Sequence, residues 1–198
     1  MKRPIAEFQT MTLQAGTEAA WLRDEHESWQ ILRRKPGYIA HHLYQAVHER
    51  QQRLVYSEWE TKKALDGARQ FLQGTPLARR IRTTLAAPPE RLIVELVGPV
   101  TSTKGLDLPQ TAVAVTATVR LSATTAITHE QHAALGKSLA TQAGHITHVM
   151  FRGFDDPALV GMFSYWQDAT ALEKAIASAN GSDTSPSFQY VQYAPLRT

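Results

Sequence analysis

The sequence predicts an α+β protein built from two tandem βαββαβ units. Two observations lead to this fold class: the chain repeats itself, and each copy alternates strand-like and helix-like segments in the same order. Shifted by 107 positions, residues 37–68 align with residues 144–175 without a gap, and eight of the 32 positions are identical. The identical pairs that carry distinctive chemistry are Gly37/Gly144, His41/His148, Ser57/Ser164 and Trp59/Trp166. Such self-similarity indicates two copies of one structural unit.

We place the first unit at residues 1–98, a linker at 99–109 and the second unit at 110–198. Glycine and proline lie at both ends of the linker, as is typical of a connecting segment. The gapless match ends after residue 68, because the first copy carries extra residues before its last strand.

The first unit is predicted from strand-forming runs and helix boundary signals. Pro36 and Gly37 end its first helix. The predicted order is strand 5–13, helix 17–34, strands 38–47 and 54–59, helix 61–83 and strand 91–97.

The second unit repeats this order. Gln131 can complete a capping box with Thr128, and Asp168 is a good N-cap for the second helix, which Asn180 and Gly181 end. The predicted order is strand 112–121, helix 128–144, strands 145–154 and 159–166, helix 168–178 and strand 188–193. This split βαβ arrangement defines a ferredoxin-like unit.

The hairpin of each unit predicts which side chains share a face. Turns centred on Arg50 and Pro157 place these residues opposite one another: His41 and Trp59, Tyr44 and Tyr56, His148 and Trp166, Phe151 and Phe163. Both faces of each hairpin then carry large apolar groups. We therefore expect one face to meet the helices of its own unit and the other to meet the second sheet, about 10 Å away.

Composition excludes several classes of protein. A net charge of +3 is too small to indicate a nucleic-acid-binding surface, and no run is long or apolar enough for a membrane helix. The chain has no cysteine, so disulfides and thiolate chemistry are excluded and a reducing, cytoplasmic location is the simplest expectation.

The strand-two to helix-two segments resemble the antibiotic biosynthesis monooxygenase (ABM) family. The resemblance rests on Pro36-Gly37-Tyr38-Ile39 and Val55-Tyr56-Ser57-Glu58-Trp59-Glu60, and on Gly144-His145-Ile146 and Phe163-Ser164-Tyr165-Trp166 in the second copy. It implies a dimeric α+β barrel formed here within one chain, an intrachain pseudo-dimer whose further dimerisation is left open.

The resemblance also implies a function. Members of this family include oxygenases that oxidise electron-rich phenols with O₂ and use neither metal nor flavin. We therefore expect a cofactor-independent monooxygenase acting on a small aromatic or polyketide-like phenol. The alternatives are a non-catalytic haem or small-molecule binding protein and an enzyme that handles quinones or stress.

The resemblance implies a candidate site between each sheet and its helices. Trp59 and Trp166 match the family's active-site tryptophan and could stack on a substrate or bind its oxygen, and His41 and His148 could accept the phenolic proton. A structural role for all four, as core residues, remains the alternative. The residues expected to contact substrate are Gln9, Ile39, Leu43, Ser57, Ile146, Met150 and Ser164.

Two other sites are less well supported by the sequence. Haem-degrading relatives combine their tryptophan with a strand-one asparagine and a helix-two histidine, and neither is present here. His129 and His132 are one helical turn apart, but two such ligands without a third group do not define a metal site, so none is predicted.

Overall fold

The computed structural model describes residues 3–97, 102–106, 111–120, 129–179 and 189–196. Within these ranges the first unit contains β1 (Ile5–Thr12), α1 (Glu18–Leu32), β2 (Tyr38–Ala46), β3 (Gln52–Trp59), α2 (Lys62–Gln73), α3 (Pro76–Thr83) and β4 (Glu90–Val97). The second unit contains β5 (Val113–Arg120), α4 (His129–Ala140), β6 (His145–Gly153), β7 (Leu159–Trp166), α5 (Ala169–Ala179) and β8 (Gln189–Pro195). Thr128, Asn180, Gly181 and Phe188, which the sequence analysis used as boundaries, lie outside the described residues.

The eight strands form one closed antiparallel barrel in the order β1-β3-β2-β8-β5-β7-β6-β4. Each unit contributes four neighbouring strands, and the two sets pair at both edges, β2 with β8 and β4 with β6. The predicted α+β class with two tandem units is confirmed. The sheets face one another as expected, and hydrogen bonds between the units also close both edges, which the sequence analysis did not anticipate.

An aromatic cluster fills the barrel. Tyr44, Tyr56, Phe151 and Phe163 are fully buried in one hydrophobic cluster that draws on both units, as the two-faced hairpins predicted. Phe163 alone lies within 5.5 Å, centroid to centroid, of four other rings. The units therefore share a single core and form an intrachain pseudo-dimer.

The hairpin register differs from the prediction by two residues. His41 lies opposite Ser57 and His148 opposite Ser164, whereas Trp59 and Trp166 lie opposite the first residues of β2 and β6. Each turn lies one residue earlier in the chain than predicted, and an irregularity near the start of β2 and of β6 shifts the pairing further. Because the shift is even, the side chains that follow the irregularity, from His41 and His148 onward, keep their predicted faces.

The predicted helix 61–83 is in fact two helices. Gly74 ends α2, and Thr75 begins α3 by accepting a 3.3 Å hydrogen bond on its side chain from the amide of Ala78. Pro76 occupies the first turn of α3, where its missing N–H leaves no helical hydrogen bond unmade. Arg80 ties α3 to α1 through Asp24 and Glu27.

The described part of the linker packs against the barrel interior. Glu58 is fully buried, and its carboxylate accepts hydrogen bonds from Tyr56 Oη (2.8 Å), Ser102 Oγ (2.5 Å) and the Thr103 amide (2.7 Å). Leu106 packs against the aromatic cluster. Ser102, Thr103 and Leu106 thus pack against the barrel interior as well as connecting the units.

Candidate active site

A cavity of about 160 Å³ lies between the sheet of the first unit and its helices α1, α2 and α3. Its polar wall includes Glu7, Gln9, Glu25, Ser28, His41 and Ser57, together with three arginines. We call this space the first-unit cavity. It occupies the sheet–helix position that the family resemblance implied.

Strand register explains why three of these side chains meet. Glu7 of β1 lies opposite Ser57 of β3, and Ser57 lies opposite His41 of β2. Directly opposed residues on neighbouring strands project to the same face. Glu7, Ser57 and His41 therefore form one row across the cavity floor.

Trp59 forms an apolar wall of the cavity and is 1% exposed. Its indole N–H already donates to Ser57 Oγ at 3.1 Å, and the same bond, at 2.9 Å, joins Trp166 to Ser164 in the second unit. Because this donor has an acceptor in the protein, the predicted bond from the indole to a substrate oxygen is not favoured. Stacking against a substrate ring is the role that the geometry leaves open.

The His41 side chain is 4% exposed and stacks on Trp29, with ring centroids 6.0 Å apart. Its Nε2 atom lies 3.6 Å from the Glu25 carboxylate. A neighbouring carboxylate stabilises the imidazolium that would form if His41 accepted a proton. The pair can therefore act as a base and its supporting anion.

Glu7 lies between two arginines. Its Oε1 atom is 3.6 Å from Arg69 Nε of α2 and 3.7 Å from Arg91 Nε of β4. Burial raises the pKa of the Glu7 carboxyl, and the two guanidinium groups offset only part of that shift. The site therefore holds a carboxylate that is poorly solvated in its ionised form.

Three buried polar atoms on the cavity wall have no hydrogen-bond partner in the described part of the chain. They are Glu7 Oε1, Ser28 Oγ and His41 Nε2. Buried polar atoms are nearly always hydrogen-bonded in native proteins. All three atoms face the same cavity, so a polar molecule bound there can hydrogen-bond with them.

The second unit keeps the tryptophan but not the charges. By strand pairing and the repeat offset, Val115 stands where the first unit has Glu7, and Ile176 where it has Arg69. Both apolar side chains pack with Trp166 in one cluster. At these two positions the second unit therefore has apolar packing where the first unit has a carboxylate and a guanidinium group.

His148 also differs from its counterpart His41. Its Nδ1 lies 3.2 Å from His145 Nε2, and burial lowers the pKa of both rings, that of His145 to about 4. Gly136 leaves room for the ring, since a Cβ there would lie 2.8 Å from His148 Nε2 and 3.0 Å from Met150 Sδ. Among the side chains that the structure describes, His148 thus faces another histidine and the backbone of α4 at Gly136.

The predicted site residues of the first unit divide into two groups. Gln9, His41, Ser57 and Trp59 line the first-unit cavity. Leu43 instead packs with Trp21 in a neighbouring cluster, and Ile39 is absent from the wall that the described residues form.

Among the predicted residues of the second unit, Met150, Ser164 and Trp166 lie on the helix-facing side with His148. The assignment of Ile146 to that side is wrong, because it packs against the barrel interior. The irregularity between His145 and Thr147 explains this, since it breaks the alternation of faces.

Sequence reasoning missed the charged groups. Glu7 interrupts the helix-facing positions of β1, where Ile5 and Met11 are apolar, and Glu25 follows Trp21 by one helical turn. A charge at an inward-facing position was a usable signal for both. Arg69 and Arg91 gave no such signal, because only the packing of α2 and β4 brings them to Glu7.

No cluster of three metal-ligating side chains occurs among the described residues. The side chains of His129 and His132 lie outside that description. None of the described helices is long and apolar enough to cross a membrane.

The barrel and its sheet–helix cavity define a dimeric α+β barrel formed by a single chain. Residues 4–71 match the family model of antibiotic biosynthesis monooxygenases, so the chain contains an ABM-family domain, as its motifs suggested. No curated protein gives a significant match.

Solved structures share the whole fold at low identity. A Fusobacterium nucleatum subsp. nucleatum protein, provisionally described as a monooxygenase, has a TM-score of 0.73 at 6% identity and covers 98% of this chain and 93% of its own. An anthrone oxidase-like protein has a TM-score of 0.67 at 13% identity, with coverage of 98% and 92%. A protein provisionally described as a chlorite dismutase has a TM-score of 0.71 at 12% identity, with coverage of 100% and 96%. These likenesses establish the shared architecture.

Proposed function

We propose that the first-unit cavity is the active site of a cofactor-independent monooxygenase that oxidises a small aromatic phenol with O₂. The observation that carries the proposal is His41, a buried imidazole whose Nε2 has no hydrogen-bond partner in the described residues and lies beside Glu25. The ABM-family domain, which contains His41, Trp59 and Glu25, supports the assignment.

The proposed reaction needs no external reductant. His41 Nε2 accepts the phenolic proton, and the resulting phenolate gives one electron to O₂, which forms a phenoxyl radical and superoxide. Their recombination at the ring carbon para to the oxygen forms a C–O bond. Loss of water, with the proton returned from His41, leaves the quinone: one phenol and one O₂ give one quinone and one water.

The remaining residues act on the environment of this reaction. The Trp59 ring supplies a flat apolar wall against which an aromatic ring can stack. Leu32, Val55 and Leu65 add apolar surface, which keeps water away from the radical pair. Glu25 stabilises the protonated form of His41 while the substrate is an anion.

The cavity does not favour the haem-binding alternative. Its volume of about 160 Å³ is close to the ~150 Å³ of a protein cavity that accommodates benzene. A porphyrin carries four pyrrole rings and does not fit this space.

Oxygen uptake with phenol, 2-methoxyphenol and 3-hydroxybenzoate tests the proposal, because each has a single ring and a free para carbon, with ¹⁸O₂ used to follow one oxygen atom into the quinone. We expect His41→Gln to lower kcat about 10²- to 10⁴-fold, the range typical of a general base. His148→Gln is the matched control and is expected to retain activity. Equal activity of wild type and His41→Gln, or no uptake with any of the three phenols, would contradict the proposal.

The sequence names Trp166 and His148 as candidates but leaves open whether both units act, and the same assay tests this. The replacement of Glu7 and Arg69 by Val115 and Ile176 leads us to assign the chemistry to the first unit. We expect Trp59→Phe to raise KM, because the substrate loses part of its stacking surface, and Trp166→Phe to leave KM unchanged. A comparable rise in KM in both variants would indicate that the second unit also contains an active site.

A further inference from the structure

The arginines of the first-unit cavity have unused hydrogen-bonding capacity. Arg69 and Arg91 approach the Glu7 carboxylate only at 3.6 and 3.7 Å, beyond hydrogen-bond distance. Among the described residues neither guanidinium donates a hydrogen bond, although each carries five N–H groups. Arg69 has one further ionic neighbour, Asp66 at 3.8 Å, and that carboxylate is already bonded to Lys62 at 2.6 and 2.7 Å.

The charges on the cavity wall leave an excess of positive charge. Arg69, Arg82 and Arg91 face two carboxylates, Glu7 and Glu25. Glu25 lies beside His41, at one end of the row that Glu7, Ser57 and His41 form on the cavity floor. Arg69 and Arg91 lie beside Glu7, at the other end of that row. The Glu7 side of the cavity therefore attracts an anion.

The cavity has a deep end and an open end. The side chains of His41 and Trp59 are almost fully buried, whereas those of Arg69 and Arg91 are 26% and 32% exposed. Glu7 and His41 are two strand spacings apart, about 10 Å. One aromatic ring with a polar group at each end fits this span and the 160 Å³ volume.

We propose that the first-unit cavity selects a monocyclic phenol that carries a carboxylate. The hydroxyl lies toward His41 Nε2 and Ser28 Oγ, and the carboxylate accepts hydrogen bonds from Arg69 and Arg91. This placement provides partners for His41 Nε2, Ser28 Oγ and both guanidinium groups. The inference rests on the proposed function for the reaction, but the binding itself does not depend on it.

Anaerobic titration of the intact protein tests the ligand class. The probes are 3-hydroxybenzoate, its methyl ester and phenol, followed by calorimetry and by quenching of tryptophan fluorescence. We expect the acid to bind roughly ten- to a hundredfold more tightly than the ester, the range for hydrogen bonds to a charged group. Equal or tighter binding of the ester or phenol, or no binding of any probe, would overturn the proposal.

Substitutions locate the binding. Arg69→Gln and Arg91→Gln are expected to weaken binding of the acid about tenfold and leave the ester unchanged. Arg79→Gln, on the exposed side of α3, is the control and is expected to change neither. Glu7→Gln is expected to tighten binding of the acid several-fold, since it removes the anion that competes for both arginines. A similar loss in all three arginine variants would reject the assignment.

The two proposals fail separately. Tight, arginine-dependent binding of 3-hydroxybenzoate without oxygen uptake would leave this inference standing and refute the oxygenase. Oxygen uptake with neutral phenols and no preference for the acid would support the oxygenase and overturn this inference. The selectivity measured on the unchanged protein holds even if a variant fails to fold.

Discussion

At the scale of single residues, the core contains a histidine whose protonation opposes folding. His42 packs between Tyr44 and Tyr56 inside the barrel, and its Nε2 lies 2.8 Å from Thr103 Oγ1. Thr103 donates its one hydroxyl hydrogen to Glu58. His42 Nε2 is therefore the donor in its bond to Thr103, and Nδ1 carries no proton. Burial, with a smaller contribution from the charge of His41, lowers the pKa of His42 to about 4.

This shift predicts a specific loss of stability in acid. Between pH 6.5 and 4 the unfolded chain binds a proton at His42 that the folded protein does not, so the free energy of unfolding falls as the pH falls. The loss from His42 approaches about 3 kcal/mol at pH 4. Urea unfolding at pH 7.5, 5.5 and 4.5 measures it.

His42→Gln is expected to flatten this dependence, because glutamine keeps a donor but does not titrate. His145 and His148 contribute in the same pH range and remain in the variant, so the difference from wild type isolates His42. Exposed His48→Gln is the control and is expected to follow wild type. Parallel pH profiles for wild type and His42→Gln would contradict the assignment.

At the scale of elements, each helix-to-strand connection before β2 and β6 depends on a glycine. Gly37 and Gly144 have φ of +79° and +82°. The Gly37 carbonyl accepts a hydrogen bond from the amide of Glu60, and the Gly144 carbonyl accepts one from the amide of Gln167. Each donor directly follows the tryptophan of its unit. A Cβ on Gly37 would lie 2.7 Å from the Cβ of Ala64 on α2. The glycine is required both by the backbone conformation and by the close approach of the helix.

Gly37→Ala is expected to lower the free energy of unfolding by roughly 1–3 kcal/mol more than Gly16→Ala does. Gly16 has φ of +80° and no atom near its missing Cβ, so its substitution isolates the backbone strain. Chemical denaturation of the two variants separates strain from steric overlap. Equal losses would mean that Ala64 and α2 move away without penalty.

The repeat and the strand periodicity predict most elements to within a few residues. The register of the hairpins and the break at Gly74 were not recovered, although the Thr75-Pro76 pair is a good signal for a new helix. A turn can lie one residue earlier without changing any local preference, so only cross-strand packing selects the register. The sequence predicted part of the candidate site. The repeat identifies His41 and Trp59, but it cannot show Glu7 and Arg69, because only the first copy carries them.

At the scale of the whole molecule, the barrel has one core and is expected to unfold as one unit. Phe163 of the second unit contacts Phe8, Tyr44 and Tyr56 of the first. Phe163→Ala is therefore expected to destabilise both units together, by about 3–5 kcal/mol.

Tryptophan emission makes this measurable, because three of the four tryptophans, Trp21, Trp29 and Trp59, lie in the first unit. We expect fluorescence and far-ultraviolet circular dichroism to report one coincident transition that the substitution shifts to lower denaturant. Phe154→Ala, at an exposed site in the second unit, is the control and is expected to shift it little. Two separated transitions, with an unchanged midpoint of the fluorescence transition, would show that the two units unfold independently.

The covalent link between the copies changes what substitution can do to them. In a barrel assembled from two identical chains, a valine in place of Glu7 would remove that carboxylate from both halves at once. Here Val115 and Ile176 occupy the corresponding places in one half only, while Glu7 and Arg69 persist in the other. Fusion of the copies thus lets one half specialise as scaffold while its sibling retains the chemistry.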